Sequence, residues 1–137
     1  MQIFVGVLIA LHGLITLAIG GVAASGAPTP IEMSRLPGAG WYPVPLGESW
    51  LLRGEASQIG GAVWVVAGIG LLLTAAAMLG FVLPEAWRQV GLISAVLGLA
   101  GLALFFHPYY VIGIAMNLAI IGAATILEPT ARRVFGI

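Results

Sequence analysis

The sequence contains no cysteine, no lysine and no aspartate. The absence of cysteine excludes disulfide bonds, thiolate metal ligands and thiol redox chemistry. Only 7% of the 137 residues are charged, whereas a typical soluble domain carries about 25%. Five arginines balance five glutamates, so there is no net positive field to attract a nucleic acid. The chain lacks the polar surface that a water-soluble domain needs.

The chain consists mostly of long runs of hydrophobic residues. Hydrophobic residues make up 61% of it, and its mean hydropathy is +1.11. A helix needs about 20 apolar residues to cross the hydrocarbon core of a bilayer. Four stretches meet this requirement, at about 3–24, 57–83, 90–106 and 109–127. We therefore expect one all-α membrane domain over 1–137, an antiparallel bundle of four transmembrane helices.

The predicted spans end at prolines. Pro84 follows the second span, Pro108 follows the third, and Pro129 follows the fourth. Proline disfavours a helical conformation in the residue before it, so each marks a helix boundary. No basic residue precedes the first span, and its apolar run exceeds the roughly 7–15 residues of a signal peptide. We therefore expect the first span to be a helix of the mature protein.

Arginine placement predicts how the helices are oriented. The positive-inside rule favours an arrangement with both termini in the cytoplasm, as a multi-pass protein of the cell (inner or plasma) membrane. Three arginines then lie inside, and two lie outside among three glutamates. The inner group is Arg88, Arg132 and Arg133, and the outer group is Arg35, Arg53, Glu32, Glu48 and Glu55.

The one long connection, residues 25–55, holds five of the eight prolines. So many prolines exclude a continuous helix. Trp41, Tyr42 and Trp50 are interleaved with them, and such aromatic side chains favour the headgroup layer of a membrane. We expect this cap segment (25–55) to form an ordered loop on the outer ends of the helices.

Small residues recur at regular intervals within the spans. Such residues on one helix face allow close backbone approach in lipid, so this spacing predicts tight helix packing. The heptad positions are Gly6, Gly13 and Gly20, Gly61 and Gly68, and Gly91 and Gly98, while Ala115, Ala119 and Ala123 repeat every fourth residue.

Short motifs in the spans resemble a known group of proteins. They are Leu11-His12-Gly13-Leu14-Ile15, Trp64, Trp87-Arg88, Ser94 and Gly113-x-x-x-Asn117. Their layout resembles a family of small, uncharacterised bacterial four-helix membrane proteins, similar in size and topology to DoxX-like proteins. Members of that family often read His-Gly-x-x-His in the first helix, where this chain has Thr16. DoxX-like proteins are associated with membrane redox or quinone-linked systems, which the resemblance implies as one context here.

Four side chains lie deep within the predicted spans. His12 is about 15 Å into the first span, and Thr16 follows one turn later. Asn117 and Trp64 each lie about 12 Å from the outer end of their spans. We therefore predict a buried cluster of His12, Thr16, Trp64 and Asn117. Three roles for His12 stay open: a hydrogen bond that joins two helices, ligand or proton handling, and axial ligation of a haem or pigment.

A second candidate site lies at the predicted outer surface. Residues at the outer helix ends there combine a carboxylate, an arginine, a histidine and tyrosines, with the aromatic residues of the cap segment above them. Together they could form a pocket for a lipid headgroup or a quinone ring. The candidate residues are Arg53, Glu55, Gln58, His107, Tyr109 and Tyr110, with Trp41, Tyr42 and Trp50 as the lid.

These observations favour a non-catalytic membrane protein: an accessory or scaffold subunit, or a binder of a lipid or quinone-like amphiphile through its outer half. No nucleophile–base pair and no phosphate-binding loop is recognisable, so we expect neither catalysis nor a metal site. The sequence identifies no cofactor. The expected partners are membrane lipids, and a homo-oligomer or a larger membrane complex.

Two alternatives stay open. A small dimeric transporter or channel would suit the size of the chain, but no carboxylate lies within the predicted spans, so His12 would have to carry the coupling alone. A haem-, pigment- or quinone-linked redox subunit is the other alternative. Ligation by two histidines would need a partner for His12 at similar depth, and His107 lies at the end of its span.

Overall fold

The computed structural model describes residues 1–28, 31, 35–37 and 40–126. Within these ranges the chain is all-helical. The long helices are α1 (Gln2–Ser25), α2 (Gly54–Met78), α3 (Trp87–Leu104) and α4 (Val111–Thr125), and 3₁₀ turns at Pro84–Ala86 and Pro108–Tyr110 precede α3 and α4. The predicted end of the fourth span at Leu127, together with Glu32, Arg132 and Arg133, lies outside the described residues.

The four helices, with their 3₁₀ turns, are long and apolar enough to cross a membrane. This confirms the prediction of an all-helical chain with four membrane-length helices, and it identifies the chain as a multi-pass membrane protein. The physical cause is the run of apolar side chains, because a helix satisfies its own backbone groups where lipid offers no hydrogen-bond partner.

The end of α2 differs from the expected one. The helix ends at Met78 rather than at Leu83, because Gly80 adopts a left-handed conformation with φ of 80°. The backbone N–H of Gly80 then donates to Ala77 O at 3.1 Å, and that of Phe81 to Ala76 O at 2.9 Å. This pair of bonds satisfies carbonyl groups that the helix would otherwise leave unpaired. The other helix ends lie within three residues of the expected positions wherever they are described.

Among the described residues, the closest approach of one helix backbone to another joins α1 and α2. A Cβ placed on Gly68 would lie 2.7 Å from the Leu17 backbone nitrogen, and one on Gly61 would collide with the backbone of Ala23 and Ala24. Because these glycines carry no side chain, the two helix backbones touch. Gly13 and Gly20 contribute from the α1 side, so the small residues at heptad spacing lie where close packing requires them.

The helices pack in chain order, but the ring that they form is not closed. α1 packs on α2, α2 on α3, and α3 on α4, whereas α1 and α4 barely approach each other. A seam therefore runs between α1 and α4. The small-residue stripe of α4 faces this seam at Ala119 and Ala123 rather than a neighbouring helix.

Part of the cap segment is fastened to the end of α3. Ser49 Oγ donates to Leu104 O at 2.5 Å, and Trp50 Nε1 donates to Ala103 O at 2.7 Å. The last carbonyl groups of a helix have no partner within the helix, so these two side chains supply the hydrogen-bond donors that the end of α3 lacks. We call this end of the molecule, which includes Ser25 and Gly54, the cap end.

Candidate functional site

The predicted deep cluster is buried in the structure. His12 is 7% exposed and Asn117 is 1% exposed, and the side chains of Thr16 and Trp64 are buried as well. The His12 and Asn117 side chains are neighbours across α1 and α4. His12, Thr16 and Trp64 line one cavity. Depth along each predicted helix therefore identified residues from three helices that lie in one region.

Two polar atoms in this region have no hydrogen-bond partner among the described residues, His12 Nε2 and Asn117 Oδ1. Asn117 Nδ2 donates to Gly113 O at 2.9 Å, one turn earlier on α4. The imidazole and the Asn117 amide are close enough to interact, although neither of these two atoms makes a hydrogen bond of regular geometry among the described residues. An unsatisfied buried polar group costs about 1–3 kcal/mol. Of these two residues, His12 lines the cavity between α1 and α4, and Asn117 does not.

The cavity beside His12 has a volume of about 460 Å³ and lies between α1 and α4. Its floor is formed by buried side chains, and its rim by exposed apolar side chains, of which Ile112 is 75% exposed. We call it the His12 cavity. Its floor residues are His12, Thr16, Trp64 and Tyr110, and its rim residues are Leu11, Ile15 and Ile112.

The cap segment closes the His12 cavity at the cap end. Leu46 is buried and, with Leu36, lines the cavity there. The Tyr110 hydroxyl accepts a hydrogen bond from the Gly47 backbone N–H at 3.0 Å, which holds the segment next to Leu46 in place. The exposed rim lies on the apolar flanks of α1 and α4, so the cavity opens sideways.

A second cavity of about 290 Å³ continues along the same seam, away from the cap end. Leu8 and Met116 line both cavities, so the two adjoin. We call this one the Trp87 cavity. Among the described residues, Thr74 is the only one in its lining with a hydroxyl group, and Thr74 Oγ1 donates to Gly70 O at 2.8 Å. The lining therefore offers an apolar chain a surface without an unsatisfied polar group.

The structure does not bring the predicted outer residues together in one pocket. His107 is fully buried, and its Nδ1 accepts a hydrogen bond from Tyr109 N at 3.0 Å. Its ring packs on Tyr42 at a centroid distance of 5.0 Å and on Tyr110 at 5.8 Å. Of these residues, Tyr109 and Tyr110 reach the His12 cavity, whereas His107 does not line it.

The polar outer residues lie in a different place. Arg53 and Gln58, with Glu48, line a cleft of about 630 Å³ between the end of α1, the cap segment and the start of α2. The Arg53 guanidinium donates to Ser49 O and Leu52 O. Glu55 lies in the first turn of α2 and is exposed, outside the lining of this cleft.

The aromatic side chains Trp41 and Trp50 are exposed. Trp41 packs edge-on against Tyr42 at 5.9 Å, and Trp50 is held by its bond to α3. Neither tryptophan lines the His12 cavity or the polar cleft. The aromatic residues of the predicted lid therefore do not lie together over a cavity. The His12 cavity is covered at the cap end by Leu46, which the sequence did not single out.

Sequence reasoning also missed the shape of the site. Gly113 and Met116 line the His12 cavity because α1 and α4 stay apart. Hydropathy does not indicate which helices of a bundle remain separated. The one usable signal was the alanine stripe of α4, since small side chains leave space wherever no helix covers them.

The described residues contain no group of three or more histidine, cysteine, aspartate or glutamate side chains that could hold a metal ion. Comparisons of the chain with protein-family models, curated proteins and solved structures gave no match.

Proposed function

We propose that this protein binds a membrane amphiphile, a lipid or a quinone-like molecule, in the seam between α1 and α4, as a non-catalytic component of the cell membrane. In this proposal the helices form an antiparallel bundle with both termini in the cytoplasm and with the cap segment on the outer face. Kinship with the DoxX-like group of small membrane proteins is part of the same proposal.

One observation carries the proposal: the buried His12 side chain lines a largely apolar cavity between α1 and α4. Ligand sites are typically apolar cavities of about 300–1,000 Å³ with a few polar groups that fix the ligand's orientation. The His12 cavity, at about 460 Å³, has that size and that composition. An apolar ligand with an oxygen atom near the imidazole would cover the apolar lining of the cavity and give the His12 ring a polar partner.

The route into the cavity supports a ligand that is dissolved in the membrane. Leu46 and the Gly47–Tyr110 hydrogen bond cover the cap end, so a ligand from water would have to displace them. The side opening is bordered by Leu11, Ile15 and Ile112, all exposed. On a helix that crosses a membrane, such apolar flanks face lipid.

The two alternatives have less support. No carboxylate of the described residues lines either seam cavity, so a transporter built from them would lack the acidic coupling group typical of a proton relay. For a haem or pigment, His12 is the only histidine in the cavity lining, and His107 Nδ1 is already bonded to Tyr109 N.

The test is to fill the cavity from α4. A Cβ on Gly113 would meet His12 Cε1 at 3.5 Å and the Leu102 methyl groups beyond, which is ordinary contact. Gly113→Leu should therefore fold while its side chain occupies the cavity. Gly122→Leu is the matched control, because a Cβ there meets no described residue within 4 Å and the same helix is changed in the same way.

We expect native mass spectrometry of protein in nanodiscs to show retained lipid on the wild type and on Gly122→Leu, and little on Gly113→Leu. Both variants should retain the helical circular dichroism of the wild type. The proposal is wrong if the wild type retains no lipid, or if Gly113→Leu retains as much as the control.

A further inference from the structure

The depth of His12 restricts the kind of ligand that the seam can hold, on the premise that the proposed function is correct. His12 is ten residues after Gln2 and thirteen before Ser25, the two ends of α1. At 1.5 Å per residue these separations are about 15 Å and about 20 Å. The imidazole therefore lies close to the middle of the span, far from either headgroup layer.

The surroundings of His12 do not offer a partner to a charged ligand. Among the described residues, no arginine and no glutamate lines either the His12 cavity or the Trp87 cavity. Arg53 and Glu48 line the separate cleft at the cap end. A charge at the middle of a membrane is strongly unfavourable unless it is paired. A phosphate or an ammonium group would have no such pair at His12.

The seam also provides a path for a long apolar chain. Along α1 the two cavities are lined from Val5 to Ile19, a rise of about 21 Å. His12 lies at the middle of this path. The Trp87 cavity continues from there over apolar side chains, and the hydroxyl of Thr74, its only one, is already bonded. It suits an unbranched or lightly branched tail.

We infer that the ligand is an uncharged lipid whose one small polar group, a hydroxyl or a carbonyl, forms a hydrogen bond with the His12 imidazole at mid-membrane, and whose tail lies in the Trp87 cavity. Neutral imidazole can donate to a carbonyl or accept from a hydroxyl, because each ring nitrogen is a donor in one tautomer and an acceptor in the other. Phospholipids of the bulk membrane are excluded, since their phosphate would have to leave the headgroup layer.

A helix from a second copy of the chain is the competing occupant, and the volumes disfavour it. One turn of an α-helix, about 10–12 Å across and 5.4 Å long, fills roughly 500 Å³. The whole His12 cavity provides about 460 Å³. The seam can therefore enclose a chain of methylene groups, whereas a helix of a second copy could only lie against its rim and insert side chains.

The experiment compares two probes that differ only in the head, hexadecanol and hexadecyl phosphate, offered to the wild-type protein in nanodiscs. Retention is measured by native mass spectrometry, and the copurified lipid is identified in the same spectra. We expect at least tenfold higher retention of hexadecanol than of hexadecyl phosphate, and an uncharged copurified lipid. Equal retention of the two probes, or a charged copurified lipid, would overturn the inference and leave the proposed function standing.

Two variants test where the tail lies. Ala119 lines the Trp87 cavity, whereas Ala115, one turn earlier on α4 and exposed, lines neither cavity. Ala119→Leu should lower hexadecanol retention about tenfold, and Ala115→Leu should leave it unchanged. Equal retention by the two variants would place the tail elsewhere. If the wild type retains neither probe nor any lipid, the proposed function itself fails.

The second-copy alternative has its own readout. The chain contains no cysteine, so Ile112→Cys places a single thiol on the exposed rim. We expect no disulfide between copies that share a nanodisc. A disulfide that forms rapidly and that hexadecanol does not slow would assign the seam to a second copy and overturn the inference.

Discussion

Tyr110 holds Gly47 across 63 residues of sequence: the phenol hydroxyl, at the start of α4, accepts the Gly47 backbone N–H at 3.0 Å. Both the ring and the bonded N–H are buried. This bond fixes the backbone next to Leu46, which lines the His12 cavity at the cap end.

Tyr110→Phe removes that hydroxyl and leaves the Gly47 N–H unpaired. We expect the free energy of unfolding to fall by about 1–3 kcal/mol, the cost of an unsatisfied buried donor. Hydrogen exchange at Gly47 should become faster at the same time. Tyr109→Phe is the control, because Tyr109 is exposed and surface changes usually stay within about 0.5 kcal/mol. Equal effects of the two variants would contradict a specific role for this bond.

Gly61→Ala tests the contact between α1 and α2. The new methyl group would collide with the backbone of Ala23 and Ala24, which cannot move as a side chain can. We expect a loss of about 1–3 kcal/mol, the usual cost of overpacking, in denaturation by dodecyl sulfate. Gly21→Ala is the control, since a Cβ there meets nothing within 4 Å, and it should unfold at or above the wild-type midpoint. A wild-type midpoint for Gly61→Ala would mean that the helices do not touch there.

His12→Phe separates ligand binding from folding. The imidazole Nε2 makes no hydrogen bond within the described protein, so its replacement by an apolar ring should not lower the free energy of unfolding. Retention of the copurified lipid should fall at least fivefold, and His12→Gln, which can still donate and accept a hydrogen bond, should restore most of it. If His12→Phe retains the lipid fully, the imidazole is not the polar contact.

The proposed orientation is testable by labelling, because every introduced cysteine is the only one in the chain. Leu51 in the cap segment and Glu85 at the opposite end are both exposed. A membrane-impermeant maleimide should label Leu51→Cys in intact cells, and Glu85→Cys only after permeabilisation. The reverse pattern would place the cap segment in the cytoplasm.

The deep cluster was predictable because depth is a property of sequence position within a span. His12, Thr16, Trp64 and Asn117 lie at similar depths in three helices, and all four are buried. The outer site was not predictable in the same way. The His107 ring packs against Tyr42 in an aromatic cluster, while Arg53 lines the polar cleft between the end of α1 and the start of α2. Loop conformation decides such partnerships, and a proline-rich segment leaves many conformations open.

By itself, the sequence determined that the chain is helical and crosses a membrane several times. A continuous apolar segment in lipid has to satisfy its own backbone hydrogen bonds, and a helix does this. The tertiary structure alone decided that α1 and α4 stay apart and that Leu46 covers the space between them. The physical reason is that lipid and side chains are equally apolar, so hydrophobicity does not decide which helices pack together. Backbone contacts at Gly61 and Gly68 and the anchoring of the cap segment decide it, and the seam beside His12 is the result.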